Sequence, residues 1–150
     1  PTNRAFKGTD YIQDAVSRLL NEGYDFEFRL IENVTHVDLK KELELCDLFI
    51  DQIMGGWYGT VAIEAMAIGR PVICSIRKSY FENIDFAEKI PIIHADPDII
   101  YDVLKETLDN KVNWPELGLK SRNYVEEIHE DRKVVNKLIE LYKSIGICVE

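Results

Sequence analysis

The apolar residues of this chain follow two rhythms that alternate along it. Ile12, Ala15, Val16, Leu19 and Leu20 recur at helical spacing, behind Thr9 as a candidate cap and ahead of Gly23 as a stop. Phe26, Phe28 and Leu30 then alternate with charged residues, which predicts a half-buried strand ending near Ile31 and Glu32. Thr35 followed by Asp38 has the form of a capping box and opens a short helix through Leu39 and Leu43. Asp47-Leu48-Phe49-Ile50 reads as a buried strand ending at Asp51. A helix follows over 60–68, closed by Gly69, and the apolar run 71–76 is the next strand. Residues 77–89 are polar and aromatic without a period. A short strand is predicted at 91–94, and Asp96-Pro97 starts a helix over Ile100, Val103, Leu104 and Leu108. Two further helices, 114–128 and 131–144, close the chain.

Strands alternating with helices imply an α/β fold, a Rossmann-like parallel sheet with helices on both faces and two extra C-terminal helices. In such a sheet, ligands bind at the carboxyl ends of the strands. Segments 31–36, 51–59, 77–80 and 94–97 are therefore expected to gather at one edge. Residues 1–150 form one domain of ordinary size. Residues 1–8 enter the first helix with no strand before them, whereas this fold usually opens with one, so the chain is expected to be part of a longer protein.

The composition, 46% hydrophobic and 30% charged, is that of a soluble globular chain. A net charge of −9 opposes nonspecific nucleic-acid binding, which needs clustered cations, and gives no basic surface for a membrane. Cys46, Cys74 and Cys148 are odd in number and far apart, and read as reduced residues of a cytoplasmic protein. No signal peptide, membrane-spanning run or metal-ligand spacing is present in the sequence.

The candidate chemistry lies between the second and third predicted strands. Gly55, Gly56 and Gly59 let backbone amides approach a ligand closely, and the helix opening at Thr60 presents unpaired N–H groups to it. An anion, above all phosphate, suits that position. Glu64 lies one turn past Thr60 on the same face, where a carboxylate would accept hydrogen bonds from a ribose diol.

The run Tyr58-Gly59, then Glu64-Ala65-Met66-Ala67-Ile68-Gly69-Arg70-Pro71-Val72, resembles the donor-binding half of GT-B glycosyltransferases, especially glycosyltransferase family 4. The resemblance implies that Glu64 holds the nucleotide ribose. Lys7-Gly8 resembles the Lys-Gly after the family's first strand, which implies that Lys7 and Arg4, with the backbone of Gly59 and Thr60, neutralise the donor diphosphate. Glu32, Asn33 and His36 would line the base or sugar edge. The family's second glutamate falls at Gly56 here, which leaves Asp51 or Gln52 as the stand-ins on the sugar side. The implied activity is retaining, metal-free transfer from a nucleotide-diphosphate sugar, without a further cofactor, to a glycan, lipid or small-molecule acceptor, as in polysaccharide biosynthesis. The implied partner is an N-terminal acceptor-binding domain, without which this chain would bind donor and scarcely turn it over. Peripheral membrane association would belong to parts outside this chain.

Two other functions fit parts of the pattern. A receiver-like signalling module would be phosphorylated at Asp51, although Arg4 and Lys7 stand where its magnesium-binding acids should be. A sugar-nucleotide epimerase would use the same donor contacts but has no motif of its own here. Trp57 and Tyr58 read first as packing residues, and His36, His94 and His129 as satisfied loop or helix-end residues. Arg77 and Lys78 follow a strand on the ligand side, placed to meet phosphate. The acidic runs at Glu126-Glu127 and Glu130-Asp131 read as solvated helix faces.

Overall fold

The structure, a computed structural model, describes residues 3–147, except for the side chains of residues 81–83. Its centre is a parallel sheet of three short strands in the order β1 (Phe49–Ile50), β2 (Val72–Cys74) and β3 (Ile93–His94). Phe49 pairs with Val72, Ile50 with Ile73, Ile73 with Ile93 and Cys74 with His94. β2 is the central strand and is buried throughout, as a continuous apolar run in a parallel sheet should be.

Among the described residues, seven α-helices surround the sheet: α1 (Arg4–Lys7), α2 (Thr9–Asn21), α3 (His36–Leu45), α4 (Thr60–Ala67), α5 (Ile100–Asp109), α6 (Trp114–Ile128) and α7 (Asp131–Ser144). Successive residues of β2 point to opposite faces and so sort the helices into two layers. Ile73 joins Ile12, Val16 and Leu19 of α2 and Ile100, Leu104 and Leu108 of α5. Val72 and Cys74 join Ala62, Ala65 and Met66 of α4, Leu43 of α3, and Tyr124 and Val125 of α6. A mixed α/β fold with a small parallel sheet is thus present, compatible with part of a Rossmann-like architecture.

Three expectations need correction. The strand predicted over Phe26, Phe28 and Leu30 does not form. Tyr24, Phe26 and Phe28 still alternate with exposed neighbours and pack on the α2–α5 core, yet no described strand lies beside them to supply a ladder. Alternation reports which side chains are buried, whereas a strand also needs a hydrogen-bonded neighbour.

Thr9 is not a cap but the first residue of α2, buried, with Gly8 capping at φ 73°. The chain passes from α1 straight into α2 through this left-handed residue. A Cβ on Gly8 would stand 2.4 Å from Ile53 Cγ1, so glycine is needed for both conformation and space. Finally, α5 starts at Ile100, later than Asp96-Pro97, because Asp96 Oδ1 accepts the N–H groups of Asp98 (2.9 Å) and Ile99 (3.3 Å) and holds a turn ahead of the helix.

Other local signals are met in the structure. Thr35 Oγ1 accepts the Asp38 N–H and donates to the Asp38 carboxylate, so the capping residues of α3 satisfy one another. Gly69 takes φ 77° after α4. Among the described residues, no helix is long and apolar enough to cross a membrane. Cys74 is buried, and burial, with the nearby Asp51 charge adding to it, pushes its thiol up to about 12. Such a thiol is no nucleophile near neutral pH. Cys46, half-buried, is likewise shifted upward by burial, and Cys148 lies outside the described residues.

Candidate functional site

The carboxyl ends of β1 and β2 carry the loops that the sequence singles out. Asp51 directly follows β1, and its side chain is 1% exposed. Its Oδ1 accepts from Lys7 Nζ at 2.5 Å and its Oδ2 from the Gly59 N–H at 2.9 Å. One buried carboxylate thereby ties the end of α1 to the start of α4. The Ile53 N–H adds a second tie by donating to Lys7 O at 3.1 Å. Both Asp51 oxygens are thus taken by donors within the chain.

Gln52, the other candidate stand-in on the sugar side, is spent on the loop. Its side-chain amide donates to Trp57 O, and its own carbonyl accepts the Ser75 N–H at 3.0 Å. A Cβ on Gly55 would meet Gln52 Cδ at 2.8 Å, so the loop backbone lies directly on this side chain.

Gly59 caps α4 without any side-chain bond of its own. Of the four N–H groups that an α-helix leaves unpaired at its start, Asp51 takes that of Gly59. Those of Thr60, Val61 and Ala62 have no partner within the helix.

Glu64 is on the next turn. Its Oε1 lies 2.9 Å from His36 Nε2, at the start of α3. A carboxylate only accepts, so His36 Nε2 carries the proton. Glu64 Oε2 is buried and has no hydrogen-bond partner among the described residues. An acceptor left open beside one that is satisfied is an unusual cost, and a ligand hydroxyl would meet it.

The remaining candidates are dispersed. Arg4 donates to Glu32 Oε2 (2.8 Å) and Gln13 Oε1 (2.6 Å), and more weakly reaches Asp10 Oδ1 (3.4 Å). Glu32 thus pairs with Arg4. Asn33 is a non-glycine residue at φ 54° and shapes the turn toward Thr35. The structure therefore brings Lys7, Asp51, Gly59 and Thr60 into one cluster and His36 and Glu64 into another, with Arg4 and Glu32 paired separately. His94 is exposed, and its Nδ1 accepts the Ile76 N–H at 3.1 Å, extending the β2–β3 junction. Among the described residues, no group of three or more His, Cys, Asp and Glu side chains is placed to hold a metal ion.

No local pattern in the chain announces the relay behind the glycine loop. Tyr58 OH lies 2.6 Å from Tyr124 OH of α6 and 3.0 Å from His129 Nε2. Burial comes first in moving all three groups: both tyrosine hydroxyls are shifted upward, and His129 downward. The Tyr58 hydroxyl thus bridges the Tyr124 hydroxyl and the His129 ring. Partners 66 and 71 residues apart leave no local signature by which the sequence could reveal them.

This relay predicts a pH effect. Because the folded protein holds His129 below its ordinary value, the unfolded chain binds the proton more readily. The contribution is complete above the unfolded value near 6.5 and is lost as pH falls from there through the folded value. Urea midpoints of the wild type are expected to fall between pH 7 and pH 5 by more than those of His129→Gln. Equal falls would remove the relay from the acid response.

Comparison of the chain with protein-family models, with curated proteins and with solved structures gives no match.

Proposed function

We propose that this chain is the donor-binding half of a glycosyltransferase and takes a nucleotide-diphosphate sugar at the carboxyl edge of its sheet. The observation that carries the reading is the Glu64 carboxylate, fixed by His36 through one oxygen and buried without a hydrogen-bond partner on the other, one turn from the first amides of α4. A ribose diol on Glu64 and a phosphate at Thr60–Val61–Ala62 are the two ends of one nucleotide. One helical turn, about 5.4 Å, separates the two positions.

In this reading His36 orients Glu64 and leaves its second oxygen for the diol. The Asp51–Lys7 pair fixes the glycine loop and takes no part in proton transfer. The same donor contacts would serve an epimerase, and transfer is favoured by the resemblance of the α4 run, not by a reacting group in the chain. Acceptor binding and turnover belong to a separate domain, in the cytoplasm.

Calorimetric titration with UDP, GDP and ADP, without magnesium, tests the reading. One nucleotide is expected to saturate, and Glu64→Ala to weaken it by about 2 kcal/mol, the scale of a hydrogen bond to a charged group. His36→Ala should weaken it less, since the carboxylate remains. Equal affinity of the wild type and Glu64→Ala would sink the ribose assignment.

A further inference from the structure

We infer that Arg77, laid against Gly56, is the principal phosphate-binding cation of this site. The inference rests on the nucleotide reading and goes beyond it by reassigning the charge that meets the ligand.

The two cations nearest the chain start are already engaged. Lys7 is bonded to buried Asp51, and Arg4 spans Glu32, Gln13 and Asp10. A diphosphate approaching either would have to compete with a carboxylate in place. Arg77 has no carboxylate partner among the described residues, and it is exposed. Lys78 follows it, also exposed and at the start of a 3-10 turn.

What distinguishes Arg77 from an ordinary surface arginine is how its stem is held. Its N–H donates to Gly56 O at 3.0 Å. Its side chain then runs over the Gly56 backbone so closely that a Cβ there would lie 2.6 Å from Nε and 2.7 Å from both Cδ and Cγ. Gly56 has φ 77°, so the conformation and the space both call for glycine. On the far side, Tyr80 N–H donates to Arg77 O, and the Tyr80 ring meets Trp57 edge-on at 5.8 Å. A guanidinium whose stem is fixed in this way has less freedom to lose on binding than a free surface side chain.

The loop that the Arg77 stem crosses at Gly56 ends at the first amides of α4, and the unpartnered oxygen of Glu64 is one turn further on. A planar guanidinium bonds two phosphate oxygens at once, a geometry an ammonium does not offer. Arg77 and the α4 amides would thus grip the diphosphate from two sides, while Glu64 holds the ribose.

The test is titration of the whole chain with UDP, GDP and ADP and with the matching nucleosides, for wild type, Arg77→Gln, Arg4→Gln and Glu64→Ala. For the nucleotide that binds, Arg77→Gln is expected to lose about tenfold or more in diphosphate affinity and to keep the nucleoside affinity. Arg4→Gln should change either by less than about threefold, as for an exposed pair. Unchanged diphosphate affinity in Arg77→Gln, with a loss in Glu64→Ala, would overturn the inference and leave the nucleotide reading standing. Equal loss of nucleoside and diphosphate in Arg77→Gln would make it a structural residue and also overturn the inference. Absence of any nucleotide binding by the wild type would remove both.

Discussion

Lys7→Met is expected to cost the fold about 3 to 5 kcal/mol, the range for removing one partner of a buried ion pair. Asp51 is the reason. Its side chain is 1% exposed, and without Lys7 the carboxylate would keep a single bond, from the Gly59 N–H. Lys7 itself is 27% exposed and would lose less from the reverse change, since its ammonium reaches water. Asp51→Asn should therefore be milder than Lys7→Met, and the double variant milder than Lys7→Met alone, because an amide can still accept from Gly59 and leaves no buried charge. Urea unfolding of the four proteins closes this cycle. A loss below about 1 kcal/mol in Lys7→Met would mean that the pair behaves as a surface one, and that the α1–α4 junction is held by packing alone.

The same pair shows what could be read in the sequence and what could not. The helix at α4, its glycine entry and the position of Glu64 one turn in are all local, so spacing alone locates them. Lys7 and Asp51 each read locally as residues of the expected ligand edge, but their mutual bond spans 44 residues and leaves no trace in local spacing. The bond adds a tie between α1 and α4 that neither residue announces on its own. His36 and Glu64 are 28 residues apart, and the resemblance implies separate roles for them, whereas the structure joins them in one hydrogen bond. The segment around Phe26 and Phe28 shows the same limit at the level of the fold. Its alternation correctly gave the buried face, whereas strand pairing depends on a neighbour that no local pattern encodes. The role of Gly56 was hidden for a related reason: its value lies in the Arg77 stem that crosses it, 21 positions later.

Gly118→Ala should lower stability by about 3 kcal/mol, even though alanine is the better helix former by about 1 kcal/mol. Gly118 is buried in the first half of α6, where the helix passes over the end of α4. A Cβ at that position would stand 2.1 Å from Gly69 O and 3.0 Å from Gly69 C, both backbone atoms. No rotamer can relieve a contact with backbone, so either α6 must lift or the Gly69 turn must move. The turn is itself constrained by its φ of 77° and leads directly into Pro71 and buried β2. Lifting α6 would part Tyr124 from Tyr58, and so loosen the glycine loop from behind. The variant is thus expected to lose stability and nucleotide affinity together, although Gly118 belongs to neither cluster at the sheet edge. Arg122→Ala, on the exposed side of the same helix, provides the contrast: its Glu126 pair is solvent-exposed and should contribute less than about 0.5 kcal/mol. If Gly118→Ala proved as stable as the wild type, the close crossing of α4 and α6 would have to be abandoned, and with it the support that α6 gives to the loop.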